Sequence, residues 1–169
     1  AFCDVAWGGG DYLSMPFAVV YDKDAYIIDV VFNDKDKSIT RPIVVGKCLA
    51  HKPTQVRFEA NNGGDEYADK IDDILKNDYN FRTSVTHRKA PNTKSKLAKI
   101  IQAAPDIKER CYFLDKSHRT AEYNKFMKQL TEFNVSGTNK HDDAPDSMAG
   151  LTDMIFKNYG AVRIIDRPF

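Results

Sequence analysis

Cysteine is scarce: three in 169 residues, Cys3, Cys48 and Cys111, with no CxxC spacing. That excludes a disulfide framework and a structural zinc site, and it favours a reducing compartment. No apolar run approaches the roughly 18 residues that a membrane span needs. No GxxxxGK[ST] phosphate loop is present, since Gly8-Gly9-Gly10-Asp11 lacks both the Lys and the spacing. Repeats and low-complexity stretches are also missing. The first residues carry no basic segment followed by an apolar one, so no signal peptide is expected. The chain opens almost directly on a strand, which suggests a piece cut from a longer polypeptide or a removed start Met. Finally, charge of one sign is missing: 25 Lys+Arg stand against 24 Asp+Glu, a formal net charge of +1. This excludes a uniformly basic nucleic-acid binder, but not one whose acids and bases occupy different surfaces.

What is present is an ordinary globular balance, 42% hydrophobic and 29% charged, of a size for one domain. A short strand is expected over 2–7, ending at the glycine turn. Two β-rich runs, 17–22 and 25–32, flank the polar connection Asp22-Lys23-Asp24. Ile43, Val44, Cys48 and Leu49 suit a helix over 39–51, with Pro42 in its first turn. A strand at 56–59 meets the breaker Asn61-Asn62-Gly63-Gly64. Tyr67, Ile71, Ile74 and Leu75 form the apolar stripe of a helix over 65–77. A strand is expected over 81–86, a helix over 93–104 stopped near Pro105, and a strand over 111–114. Helices over 119–133 and 144–158 follow, separated by a loop at 134–140. Three strands followed by alternating helix and strand define a mixed α/β plan: an antiparallel three-strand meander continued by parallel strands.

The chemistry candidates are acids at strand ends. Asp4 lies within an apolar strand, where an unpaired carboxylate is costly. Glu59 closes its strand, Asp11 follows the three glycines, and Asp142, Asp143 and Asp146 surround the start of the final helix beside His141. Pro145 suits the first helical position and biases Ala144 away from helical angles, so Asp142 and Asp143 belong to the lead-in or cap. Acids there are also what capping and the helix dipole favour, and Asp4 and Glu59 each have a purely structural alternative. Taken together, strand–Asp, strand–Glu and helix–Asp is an order that can converge three carboxylates at one end of a sheet. Such a cluster needs divalent cations, and oxygen-only ligands suit Mg²⁺ or Mn²⁺. Residues 82–99 hold Arg82, Arg88, Lys89, Lys94, Lys96 and Lys99 and no acid. They form either a phosphate-contacting ridge or a solvated face.

Three segments carry a family resemblance: Asp4-Val5-Ala6-Trp7-Gly8-Gly9-Gly10-Asp11-Tyr12, Phe58-Glu59-Ala60-Asn61-Asn62-Gly63-Gly64, and His141-Asp142-Asp143-Ala144-Pro145-Asp146-Ser147. Thr93-Lys94-Ser95-Lys96-Leu97-Ala98-Lys99-Ile100 is a weaker fourth. With these the chain resembles, over nearly its whole length, the C-terminal nuclease domain of the large terminase subunit of tailed bacteriophages. The resemblance implies a single ribonuclease-H-like domain over 1–169, with the ATPase domain elsewhere. It implies two-metal hydrolysis of double-stranded DNA during genome packaging, with Mg²⁺ or Mn²⁺ ions about 3.5–4 Å apart. By position, Asp4 and Glu59 match the first two metal ligands. Asp143 or Asp146 supplies the third, with Asp142 also in contention. Asp11 matches an acid near the second metal, and His141 orients a carboxylate or water, or makes only a lead-in hydrogen bond. The portal and small terminase subunit would be partners, in the host bacterial cytoplasm. Competing expectations are a transposase, integrase or resolvase core of the same fold, and a non-catalytic DNA- or protein-interaction domain. A sugar-kinase-like ATPase is disfavoured because one domain lacks the duplicated half.

Overall fold

The computed structural model describes residues 1–5, 11–89, 95–136 and 139–157. The glycine turn, Ala6, Trp7, Thr93, Lys94 and the expected end of the last helix at 158, all used in the sequence reading, lie outside these residues. The architecture is mixed α/β. Among the described residues, six strands are β1 (Phe2–Cys3), β2 (Leu13–Tyr21), β3 (Asp24–Asn33), β4 (Gln55–Glu59), β5 (Ser84–Arg88) and β6 (Cys111–Phe113), and five α-helices are α1 (Lys37–His51), α2 (Gly64–Asp73), α3 (Lys96–Arg110), α4 (Ala121–Glu132) and α5 (Asp143–Thr152). Single π-helical turns extend α2 over Ile74–Asp78 and α5 over Asp153–Lys157.

The strands form two three-stranded sheets, ordered β1-β4-β5 and β2-β3-β6. β1, β4 and β5 are parallel, β2 and β3 antiparallel, and β6 runs parallel to β3. One antiparallel bridge joins the sheets, as Asp4 and Ser14 exchange both backbone hydrogen bonds at 3.0 Å. Among the described residues, β1 and β2 of the expected three-strand meander share this single bridge, and the ladder does not continue towards Phe2. Pro16 supplies the reason. The next exchange along that ladder would pair Phe2 with Pro16, which has no N–H to donate. Between β2 and β3 the register slips after Phe17, which pairs with Asp29, while Ala18 pairs with Ile27. This bulge aims Asp29 at Lys47 Nζ (2.5 Å) and His51 Nε2 (2.6 Å) of α1.

Strand alternation sorts the core into two layers. Cys3, Val5, Leu13, Met15, Val31, Val56 and Phe58 face α1 and α2, where they meet Val44, Cys48, Tyr67 and Ile71. Phe2, Ala25, Val30 and Phe32 face the other way, onto Tyr123 and Phe126 of α4 and Ala144, Met148 and Leu151 of α5. Helix α3 packs on α5 through Ile100, Ala103 and Ala149. Among the described residues, no helix is long and apolar enough to cross a membrane. The three cysteines are buried free thiols.

Several boundaries differ from the sequence expectation, each for a local reason. β2 starts at Leu13, four residues early, because Pro16 is tolerated where no neighbour needs its N–H. α1 starts at Lys37, capped by Asp36, whose carboxylate accepts from Ser38 N. Pro42 therefore lies in the second turn, where the carbonyl it leaves free belongs to exposed Ser38. α3 does not stop near Pro105 but continues to Arg110. Pro105 lies on the exposed side and frees the carbonyl of Ile101, itself 44% exposed, so water can satisfy it. α5 begins at Asp143, which makes Pro145 its third residue rather than its first. An N–H there has no helical partner in any case, so nothing is lost.

Helix α5 packs tightly against β1. A Cβ placed on Gly150 would lie 2.3 Å from the Phe2 ring, so only glycine admits that ring against the helix. Gly150→Ala should lower stability by about 1–3 kcal/mol, a fall in Tm of roughly 2–10 °C in thermal unfolding followed by circular dichroism. Unchanged Tm would mean that the Phe2 ring moves away freely.

Candidate functional site

Parallel pairing positions the first two acids. Phe2 pairs with Arg57 and Cys3 with Phe58, so one step further along the register Asp4 stands beside Glu59. Cys3 and Phe58 point to the α1–α2 layer, hence Asp4 and Glu59 point to the α5 layer. The third acid arrives by matching periods. Two strand residues separate Phe2 from Asp4 by about 6.6 Å, and four helical residues separate Gly150 from Asp146 by about 6 Å. Seating Phe2 against Gly150 therefore brings Asp146 to Asp4. Carboxylate oxygens of Asp4, Glu59 and Asp146 all lie within 4.8 Å of one another, an oxygen-only set that could hold a metal ion.

Surrounding groups hold these acids in place. Ser14 Oγ and Ser147 Oγ form a buried hydrogen bond of 2.7 Å, tying β2 to α5 beside the Asp4 bridge. Asn61 Nδ2 donates to Glu59 Oε1 at 2.6 Å. Gly63 has φ of 75°, and a Cβ on Gly64 would fall 1.8 Å from the Glu59 carbonyl oxygen, so α2 starts directly against the end of β4.

Asp142 and Asp143 have different surroundings. Asp142 occupies the N-cap position of α5, but its side chain makes no capping hydrogen bond. Its carboxylate instead meets Lys96 Nζ at 2.8 Å, and the same ammonium lies 3.2 Å from Asp146 Oδ2. Asp143 accepts from Gln129 Nε2 at 3.2 Å and from the Tyr12 backbone N–H, while Ala144 N donates to Gln129 Oε1 at 2.6 Å. Asp11 is exposed, with Oδ1 4.0 Å from His141 Nδ1. The His141 nitrogen is shielded from solvent and makes no hydrogen bond, so the lead-in hydrogen bond considered for it is not formed through this atom.

Burial and crowding push the clustered carboxyls upward. Asp4 is raised to about 8, first by burial and then by Asp146, Glu59 and Asp143. Glu59 is raised by burial and by Asp146. Asp146 and Asp143 are raised by burial, partly offset by Lys96 in both and by the Gln129 hydrogen bond in Asp143. Burial disfavours the Lys96 ammonium, but Asp142, Asp146 and Asp4 outweigh it and hold the group above its ordinary range.

The basic stretch divides. Arg88 pairs in register with Glu59 and is exposed, and Lys89 follows it, also exposed. Lys99 acts electrostatically on Glu59 and Asp146. Arg82 lies at the opposite end of β5, and Lys96 belongs to the acidic cluster itself. Sequence reasoning missed Gln129, Ser14, Gly64 and Gly150. Only the glycine after Asn61-Asn62-Gly63 carried a signal, that of a breaker.

In comparison with known proteins, the chain matches no protein-family model and no curated protein.

Two outcomes follow from the electrostatics. An acid whose folded pKa is raised loses stability as pH climbs from its ordinary value near 4 to its folded value, about 8 for Asp4, and the loss is then constant. In EDTA, Asp4→Asn should therefore be more stable than the parent to urea at about pH 8, with the advantage fading towards about pH 4. A pH-independent difference would contradict the burial of Asp4. Lys96→Gln should unfold at lower temperature than the parent in EDTA and gain more from Mn²⁺, because the ammonium and a cation draw on the same oxygens. Equal Mn²⁺ gains in thermal unfolding would contradict this.

Proposed function

We propose that the chain is the catalytic domain of a metal-dependent endonuclease that hydrolyses phosphodiester bonds of double-stranded DNA. The observation that carries the reading is the convergence of Asp4, Glu59 and Asp146, from β1, β4 and α5, at the end of a parallel strand pair. An all-oxygen set of mutually repelling acids suits a hard divalent cation, Mg²⁺ or Mn²⁺, and fits that group chemically. Asp4, Glu59 and Asp146 would hold one ion, and Asp143 is the nearby donor for a second, with Asp11 acting on it. Bound there, such ions lower the pKa of an attacking water and stabilise a departing 3′-oxygen.

The protein's own groups supply position and charge. Gly64 and Asn61 hold Glu59, the Ser14–Ser147 bond holds the α5 end, and Lys96 balances part of the negative charge. Arg88 and Lys99 stand on the cluster side of the sheet, where cations can contact phosphates without reading bases. The strand order, joined through Asp4 and Ser14 as β6-β3-β2-β1-β4-β5, supports a ribonuclease-H-like fold. With the motif resemblance, it supports a role as the nuclease domain of a phage terminase large subunit. On this reading, packaging occurs in the bacterial host with the portal and small subunit as partners, and ATP hydrolysis belongs to another domain.

Supercoiled plasmid incubated with Mn²⁺ or Mg²⁺ should be nicked and linearised, and EDTA should prevent it. Asp4→Asn, Glu59→Gln and Asp146→Asn should each lower the rate by about 100-fold or more, and Asp143→Asn by less. Full activity in the three triad variants would sink the assignment.

A further inference from the structure

A cavity of about 600 Å³ opens beside the acidic cluster, between α4 and the chain leading into α5. It is within the range of small-ligand sites. Tyr12 and Phe32 line it, their rings parallel with centroids 4.4 Å apart, and His141 stands edge-on to Tyr12. Lys125 and Lys128 reach it from α4, and Lys140 from the lead-in to α5. None of these three lysines has an ion-pair partner among the described residues. Among the described residues, Glu132 is the only acid lining the cavity, so three ammonium groups face one carboxylate.

The combination selects a ligand chemistry. Unpaired lysines call for an anion, and an aromatic pair calls for a flat ring. His141 adds its ring to the same wall. A duplex keeps its bases stacked inside, whereas an unpaired nucleotide presents a base face and a phosphate together. We infer that this cavity binds an unpaired nucleotide of single-stranded DNA, the lysines taking its phosphate and the Tyr12 side its base. The choice of DNA rests on the function proposed above. Gln129 connects the two places: it lines the cavity and also holds Asp143 and the Ala144 N–H at the start of α5. An occupant would therefore lie next to the acidic cluster, as a strand frayed or displaced near the cut would.

The test is fluorescence anisotropy in EDTA, with labelled oligothymidylate and a blunt duplex of equal length as separate probes. Lys128→Glu, Lys140→Glu and His141→Ala should each weaken oligothymidylate binding by about five-fold or more, while duplex binding changes less than about two-fold. Lys23→Glu, in the distant β2–β3 turn, should change neither. Parent-like oligothymidylate binding in all three cavity variants would overturn the inference, as would equal losses for both probes. Displacement of the oligonucleotide by polyglutamate at equal charge concentration would overturn it too, showing a simple anion site. Because binding is read without metal, a chain that cuts no DNA yet binds oligothymidylate through this cavity would sink the nuclease reading and leave this one standing.

Discussion

A phenylalanine ring seated against a glycine organises the functional end of this protein. Phe2 occupies the space that a Cβ on Gly150 would fill, and that contact sets the height of α5 over β1. From there geometry follows with little freedom. Two residues along the strand and four back along the helix, Asp4 meets Asp146, and the parallel register adds Glu59. Apolar packing thus assembles a group of like charges that would separate if left to their own electrostatics. Packing density in a core makes such a constraint stiff, since the ring has few other places to go.

The near-zero net charge now has a spatial meaning. The acids concentrate where β1, β4 and α5 meet, and Lys96 is drawn into them as a local counter-charge. Other cations gather on two flanks of this cluster, Arg88 and Lys99 on one and Lys125, Lys128 and Lys140 on the other. A chain with a formal charge of +1 can therefore present cations to a polyanion and acids to a metal ion at the same time. Asp29, by contrast, is an acid of the fold. Lys47 and His51 satisfy it, and despite burial these hydrogen bonds hold it below the ordinary carboxylate range.

Long periodic segments were legible in the amino-acid sequence. The β3 run, the α1 and α4 stripes and the acidic block before α5 all lie close to where patterning places them, because burial enforces period 2 or 3.6. Proline misled at Pro105, where the expected helix stop does not occur, because the carbonyl it leaves free faces water. At the site, Asp4, Glu59 and the His141–Asp146 block could be singled out from residue type and strand ends. The choice of Asp146 for the triad could not, because it depends on the Phe2–Gly150 contact between distant elements. For the same reason Lys96 looked like part of a phosphate ridge: sequence shows a charge run, while the docking of α3 on α5 decides what one member of it touches. Gln129 left no trace at all, a polar residue on an ordinary amphipathic helix.

The central claim is that Asp4, Glu59 and Asp146 form a cation site. Anomalous diffraction from crystals soaked in Mn²⁺ tests it most directly. The account predicts a manganese peak at coordination distance, about 2.0–2.3 Å, from an oxygen of each of the three residues, with the Lys96 ammonium moved off Asp146. A map with no manganese at the cluster and Lys96 still bridging Asp142 and Asp146 would contradict it.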